Sequence, residues 1–360
     1  MSEQAPNATQ IDWPALLQVH GARYGENGSL LDFGDTTAEL HATLGDGGAM
    51  PLPHQGVIRV VGDDAAVFLH GQLSQGIEDQ PVTEARMAGY CNPKGRLLAV
   101  FRVIRLDEDD FLLLADRSLM DGLVKRLRMF ILRSRVALQD FTPHAAVFGA
   151  TGSGAAAISE VAGTLPQGTG TVVHAGDTSV VNLGGEKERF LMVTHARDAI
   201  GVWETLVAAS RPVTPQAWTL LQVRAGEPAV VAGTSEHFVP QQLNLDLVDG
   251  VSFSKGCYPG QEVVARMHYR GKPSRRMFGL TAPGETVPHP GDSVLTADGA
   301  SAGEIVQAVA GPAGIEALAV LRLQYRDRQD LRVADQPAGF AQLPYHVPVT
   351  PESDEAEAGG

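Results

Sequence analysis

The chain has 360 residues, of which 44% are hydrophobic and 19% charged, and a net charge of -14. That composition suits a globular chain of two or three domains with a sizeable core, and the acidic excess argues against general attraction to DNA or anionic lipid. Two cysteines cannot build a disulfide framework, no basic stretch followed by an apolar core opens the chain, and no apolar run nears the ~18 residues of a membrane helix, so a cytoplasmic protein is expected.

The first ten residues are polar and read as loose. Val57–Val61 reads as a strand, with Asp63 or Asp64 capping a short helix through about Leu69. "AGYCNPKGRLLAVFRVIRL" reads as strand, turn and strand, with Asn92, Pro93 and Gly95 as the turn residues. Asp107–Asp110 makes the next turn and "FLLLA" the next strand. Leu119, Leu123, Leu127 and Ile131 stand four apart, as on an amphipathic helix. A strand ending at Phe148 and a helix from about Gly154 follow, then a strand at "FLMVTHA" and a helix at "ARDAIGVWETLVAAS". Hairpins interleaved with helices point to an α+β fold. From Arg276 short β-rich runs alternate with Gly and Pro, the texture of a small antiparallel barrel or sandwich. The expected divisions are an N-terminal extension over 1–50, an α+β region over 51–274 in two subdomains, a β-barrel over 275–347 and a disordered acidic tail over 348–360.

Several candidate motifs carry little. Gly149, Gly152 and Gly154 match neither the dinucleotide fingerprint nor a P-loop, and read as a strand-to-helix turn. His237 and His268 lack metal-site spacing and read as surface or satisfied histidines. Lys125, Arg126, Arg128, Arg133 and Arg135 read as a solvated helix face.

"KGCYPGQEVVAR", Lys255–Arg266, is different. Between Lys255 and Arg276 six cations, among them Arg266 and Arg270, face one acid, Glu262. Such a stretch focuses positive potential and suits phosphates or carboxylates. Cys257 precedes a run with helical spacing, and a helix start with neighbouring cations favours a reactive thiolate. Gly256 and Gly260 permit close backbone approach.

The same stretch resembles the signature of the YgfZ family, relatives of the tetrahydrofolate-dependent aminomethyltransferase of glycine cleavage. The likeness runs upstream through "FVPQQLNLDLVDGVSFSKGCY", downstream to "HYRG", and more weakly over "FLHGQLSQGI", "CNPKGRLLAVFRV" and "LPYHVP". It implies folate-binding α+β subdomains in a ring, closed by a C-terminal antiparallel β-barrel. It also implies binding of tetrahydrofolate or a derivative, in monoglutamyl or polyglutamyl form, and support of iron–sulfur cluster assembly or repair in client enzymes, among them one that thiomethylates tRNA. By the motif, Cys257 is the functional thiol and Lys255 its neighbour. Trp218 matches a tryptophan of the folate pocket, and Gln241, Asn244, Tyr258, Gln261, Glu262, Arg266 and Arg270 complete the expected binding set. Two positions depart from the pattern. The family's second pocket tryptophan, expected just ahead of the first strand, is replaced near Gln55, and Arg224 stands where aminomethyltransferases carry a folate-gripping Glu. The partners implied are folate and iron–sulfur clients or cluster carriers, with no membrane. No RNA-binding module is present, so direct nucleic-acid binding is not expected. Two cysteines fall short of the four thiolates usual for a cluster, which argues against a permanently bound metal. The alternative reading is a folate-dependent one-carbon transferase.

Overall fold

A computed structural model describes residues 10–271 and 273–348. The start of the chain, Lys272 and the acidic tail from 349 lie outside the described residues, and with them the expectations of a loose start and a disordered tail.

The first sheet has five strands in the order Ala85–Cys91, Leu97–Asp107, Asp110–Asp116, Gln55–Val61 and Ala137–Asp140, each antiparallel to its neighbours. Its first hairpin turns at Asn92, whose side-chain oxygen accepts the Lys94 and Arg96 amides at 2.9 and 3.1 Å. Gly95 supplies the left-handed residue at φ +73°. Helix Ala65–Gln72 follows the strand Gln55–Val61, and Asp64 holds the cap position without a side-chain cap bond. The expected cap is thus corrected in its chemistry. The Asp64 carboxylate accepts the Arg135 amide at 2.7 Å and its guanidinium at 3.0 Å, a stronger charged partner than the helix start.

The second sheet has the order Val172–Ala175, Thr178–Gly184, Arg189–His195, Ala145–Gly152 and Gly47–Pro51, again antiparallel throughout. The strand Ala145–Gly152 runs four residues past the expected end at Phe148, because both its edges are paired. Its side chains alternate between two cores, as a strand requires. Phe148 and Ala150 face a cluster with Leu17, Phe190 and Trp203 under helices Ser153–Ala162 and Ala199–Ala209, and Trp203 stacks on Phe148 with centroids 5.4 Å apart. Val147 faces the main core, which also holds Trp218. Helix Pro215–Arg224 carries Trp218, and starts with Pro215 after Thr214, whose hydroxyl accepts the Gln216 amide at 3.3 Å.

The C-terminal strands close into a barrel in the order Arg275–Ala282, Gly314–Arg322, Ser301–Gly311, Ser293–Thr296, Leu331–Val333 and Gln336–Ala341. Closure comes from the pairing of Gly279–Thr281 with Gly339–Ala341. Arg224 docks the Trp218 helix on this barrel by a two-pronged pair with Glu316 at 2.8 and 2.6 Å. Among the described residues no helix is long and apolar enough to cross a membrane.

Candidate functional site

The segment before Gln261 is held at three points. Lys255 Nζ donates to the Leu73 carbonyl at 2.6 Å and also to that of His70, both at the end of helix Ala65–Gln72. A cation belongs there, because the last carbonyls of a helix lack partners and carry negative partial charge. Burial pulls the Lys255 ammonium down to about 8, with Cys257 acting the other way. Tyr258 is buried, its ring 5.0 Å from Lys255 Nζ, and burial pushes its hydroxyl well above the usual range. Gly260 takes φ +80° as the residue before helix Gln261–Tyr269. A Cβ there would lie 2.4 Å from the Asn92 carbonyl and 2.6 Å from Gly95 Cα, so only glycine lets the hairpin turn and the helix start touch.

Between these anchors Cys257 is exposed, while Cys91 ends a strand and is fully buried. Burial alone pushes the Cys91 thiol up to about 12. The two thiols are therefore chemically distinct, and only one meets solvent. His70 is a neighbour that motif reading missed. A Cβ on Gly256 would stand 3.8 Å from its Nε2, while Nδ1 faces the Ile77 and Glu78 amides at 3.4 and 3.3 Å. Burial, then the Lys255 charge, holds the imidazole below its ordinary range.

Trp218 belongs to a separate place. It lines a cavity of about 230 Å3 with Gln55, Met87, Arg102, Glu227 and Gln307 among its walls. Gly149 lies under the indole, where a Cβ would fall 2.4 Å from Cε3. The three glycines therefore do more than turn the chain: one of them makes room for a ring. Arg189 stands 5.8 Å from that ring and is itself buried. Arg189 and Arg102 both bind Glu227, at 2.8 and 2.9 Å. Burial works to raise the Glu227 carboxyl, but the two guanidinium groups outweigh it and hold the group below its ordinary value. Gln307 donates to Gln222 at 3.4 Å, and its buried Oε1 has no hydrogen-bond partner among the described residues. Arg102, Arg189, Glu227 and Gln307 escaped sequence reading because no motif joins positions so far apart. The departure at Gln55 does fall on this cavity, whereas Arg224 is spent on Glu316.

Gln241 and Asn244 act as joints. Gln241 Nε2 donates to the Val264 carbonyl at 2.7 Å, tying its turn to helix Gln261–Tyr269. Asn244, at φ +57°, donates to the Met277 carbonyl at 2.8 Å and so holds the barrel. Arg276 donates to the Gln241 carbonyl at 2.8 Å and pairs with Asp246 at 2.6 and 2.9 Å. Gln261 opens the helix, its amide donating to the Tyr258 carbonyl at 3.2 Å. Glu262, Arg266 and Arg270 are exposed. Of the ten residues expected at the site, Trp218 alone lines the cavity. The others gather around helix Gln261–Tyr269 and the turn that holds it. His237 pairs with Glu304, and His268 stacks on Phe253.

Two five-stranded antiparallel sheets and a closing barrel around a tryptophan-lined cavity define an aminomethyltransferase-type fold. The chain superposes on the glycine-cleavage aminomethyltransferase of Bartonella henselae with a TM-score of 0.76 over 92% of this chain and 96% of that one, at 18% identity. No protein-family profile matches the chain. Among curated relatives, the tRNA-modifying protein YgfZ of Colwellia psychrerythraea is 32% identical over 232 residues, 64% of this chain and 70% of its own. That of Yersinia enterocolitica is 30% identical over 260 residues, 72% and 77% of the two chains. That of Serratia proteamaculans is 32% identical over 239 residues, 66% and 72%. The chain belongs to the YgfZ family. The transferase alternative is not favoured, since that likeness extends to the fold alone.

Proposed function

We propose that the protein is a cytoplasmic, folate-binding factor of tRNA modification that maintains iron–sulfur clusters in client enzymes through the Cys257 thiol. The observation that carries this reading is the anchored, exposed Cys257 between Lys255 and Gly260, beside a buried and inert Cys91. A thiolate is a soft ligand and nucleophile, suited to iron or sulfur. A single reachable thiol fits transient contact with a client or carrier better than a resident cluster.

Folate fits the Trp218 cavity in part. Pockets that enclose drug-sized ligands run ~300–1,000 Å3, so about 230 Å3 would admit a ring system but not the whole ligand. Trp218 offers stacking, and Gln307 and Gln55 bring side-chain amides to the lining. Arg102, held by Glu227, would set the polar edge. Bound tetrahydrofolate would supply a one-carbon carrier there. The cavity and Cys257 lie on different elements, which suits a ligand that regulates the thiol site rather than reacts at it.

The test is a deletion strain carrying wild type, Cys257→Ser or Trp218→Ala, scored on tRNA thiomethylation and on the activity of an iron–sulfur enzyme. Calorimetry with tetrahydrofolate runs beside it on the purified proteins. Cys257→Ser should keep folate affinity and fail to rescue, and Trp218→Ala should lose affinity. Full rescue by Cys257→Ser removes the thiol from the mechanism, and no heat at millimolar tetrahydrofolate removes the cofactor.

A further inference from the structure

Helix Gln261–Tyr269 presents a surface that neither the cavity nor the thiol uses. Phe253 and His268 form a close parallel stack, centroids 3.7 Å apart and planes 13° from parallel. Tyr269 stands edge-on to both, at 6.3 and 4.7 Å, and is 68% exposed. Arg266 and Tyr269 are three residues apart and so share one helix face, and Arg270 follows directly as the residue that ends the helix. Both arginines are exposed and form no ion pair among the described residues, unlike Arg276, which is locked to Asp246. The helix carries one acid, Glu262, a turn nearer its start.

We propose that this face docks unpaired nucleotides of an RNA, the bases stacking on the Tyr269 and His268 rings and the phosphates meeting Arg266 and Arg270. An acidic protein segment would need the cations but not the ring platform. Single-stranded nucleic acid uses both, because every base has a π-face and every linkage a charge. The bulk charge of -14 sets the opposite expectation, but unpaired cations beside exposed rings act at contact distance, inside the ~8 Å screening length of physiological salt. The proposal rests on the tRNA side of the reading above and adds direct contact, which a maintenance factor does not require.

The experiment is fluorescence anisotropy of the purified full chain with an RNA stem-loop carrying seven unpaired nucleotides, and with a duplex of equal length. Wild type should prefer the stem-loop. Tyr269→Ala, a substitution of an exposed side chain, should weaken that binding at least fivefold. Arg266→Ser with Arg270→Ser should lower the slope of log affinity against log salt by roughly 1.4, about 0.7 for each lost phosphate contact. Equal affinity for the duplex, no RNA binding, or indifference to Tyr269→Ala overturns the proposal. Full displacement of RNA by polyglutamate with Tyr269→Ala unaffected assigns the face to an acidic protein and overturns it too. RNA affinity is read on purified protein and Cys257 rescue in cells, so either can fail without the other.

Discussion

Gly149→Ala is a sharp probe of the cavity, because one methyl group meets one ring. Gly149 sits mid-strand, paired with Leu191 and Met50, and its φ lies outside the left-handed region. On backbone grounds alanine should help by about 0.4–1 kcal/mol, through a less flexible unfolded chain. The added Cβ, however, would lie 2.4, 2.7 and 3.2 Å from Trp218 Cε3, Cζ3 and Cδ2. These are ring atoms of a side chain only 1% exposed, so the clash cannot be relieved by swinging a flexible end. Overpacking of this kind costs about 1–3 kcal/mol. The clash outweighs the entropic gain, and a net loss of about 1–2 kcal/mol is expected, with the indole pushed toward the cavity. Urea unfolding followed by circular dichroism gives the stability, and calorimetry gives folate affinity, which should fall in step. Pairing Gly149→Ala with Trp218→Phe, a smaller ring, should recover part of the loss and expose the coupling directly. If Gly149→Ala is as stable as wild type and binds folate equally, the close approach of strand and indole is not what shapes the cavity.

Three further outcomes follow from the same geometry. Iodoacetamide under native conditions should label Cys257 and spare Cys91 until the protein is unfolded; mass mapping that finds Cys91 first would contradict its burial. Lys255 is pulled from 10.5 to about 8, so the fold loses stability to its charge below pH 8 and regains it between about 8 and 10.5, where the unfolded chain alone holds the proton. The stability difference between wild type and Lys255→Met should show that rise, and a flat difference across the window would remove the effect. Glu227 is held below its ordinary value, so its contribution is present above the unfolded carboxyl range and is lost as pH falls through the folded value. Glu227→Gln should cost about 3–5 kcal/mol near neutrality, since two guanidinium groups lose their shared partner, and should flatten the acid limb measured by urea unfolding between pH 2 and 5.

Local chemistry made much of this legible. Asn92 and Gly95 announced their turn, the helical spacing after Cys257 announced a helix, and the Gly- and Pro-punctuated runs after Arg276 announced a barrel or sandwich. Cys91 lies in the run read as a strand, and the structure buries it there. What escaped is what distance in the chain hides. Asp64 reads as a cap, yet Arg135, just ahead of the neighbouring strand Ala137–Asp140, captures it. Gln241 and Asn244 read as ligand-facing because they sit in a marked motif, while their amides hold backbone carbonyls of a helix and a barrel strand. The pair of arginines on Glu227 comes from two different sheets. "GGAMP" at Gly47–Pro51 shows no alternation of apolar and polar residues because every one of its residues is buried.

The placement of that strand has a consequence for how the protein is made. Gly47–Pro51 leaves the ribosome before the whole first sheet, yet among the described residues its partners are the strand Ala145–Gly152 and, at Ala49, a bridge to Pro212, both far later in the chain. The first sheet is contiguous from Gln55 to Asp140, so all its strands are available before Ala145–Gly152 emerges. The early strand must wait through that time as an unpaired edge, the kind of surface that recruits other chains. Its two glycines and terminal proline make it a poor template for such pairing. A change that made this segment more strand-like, such as Gly48→Val, would be punished twice, in the finished fold by the Arg211 carbonyl 2.9 Å from the new Cβ and during synthesis by aggregation of the nascent chain.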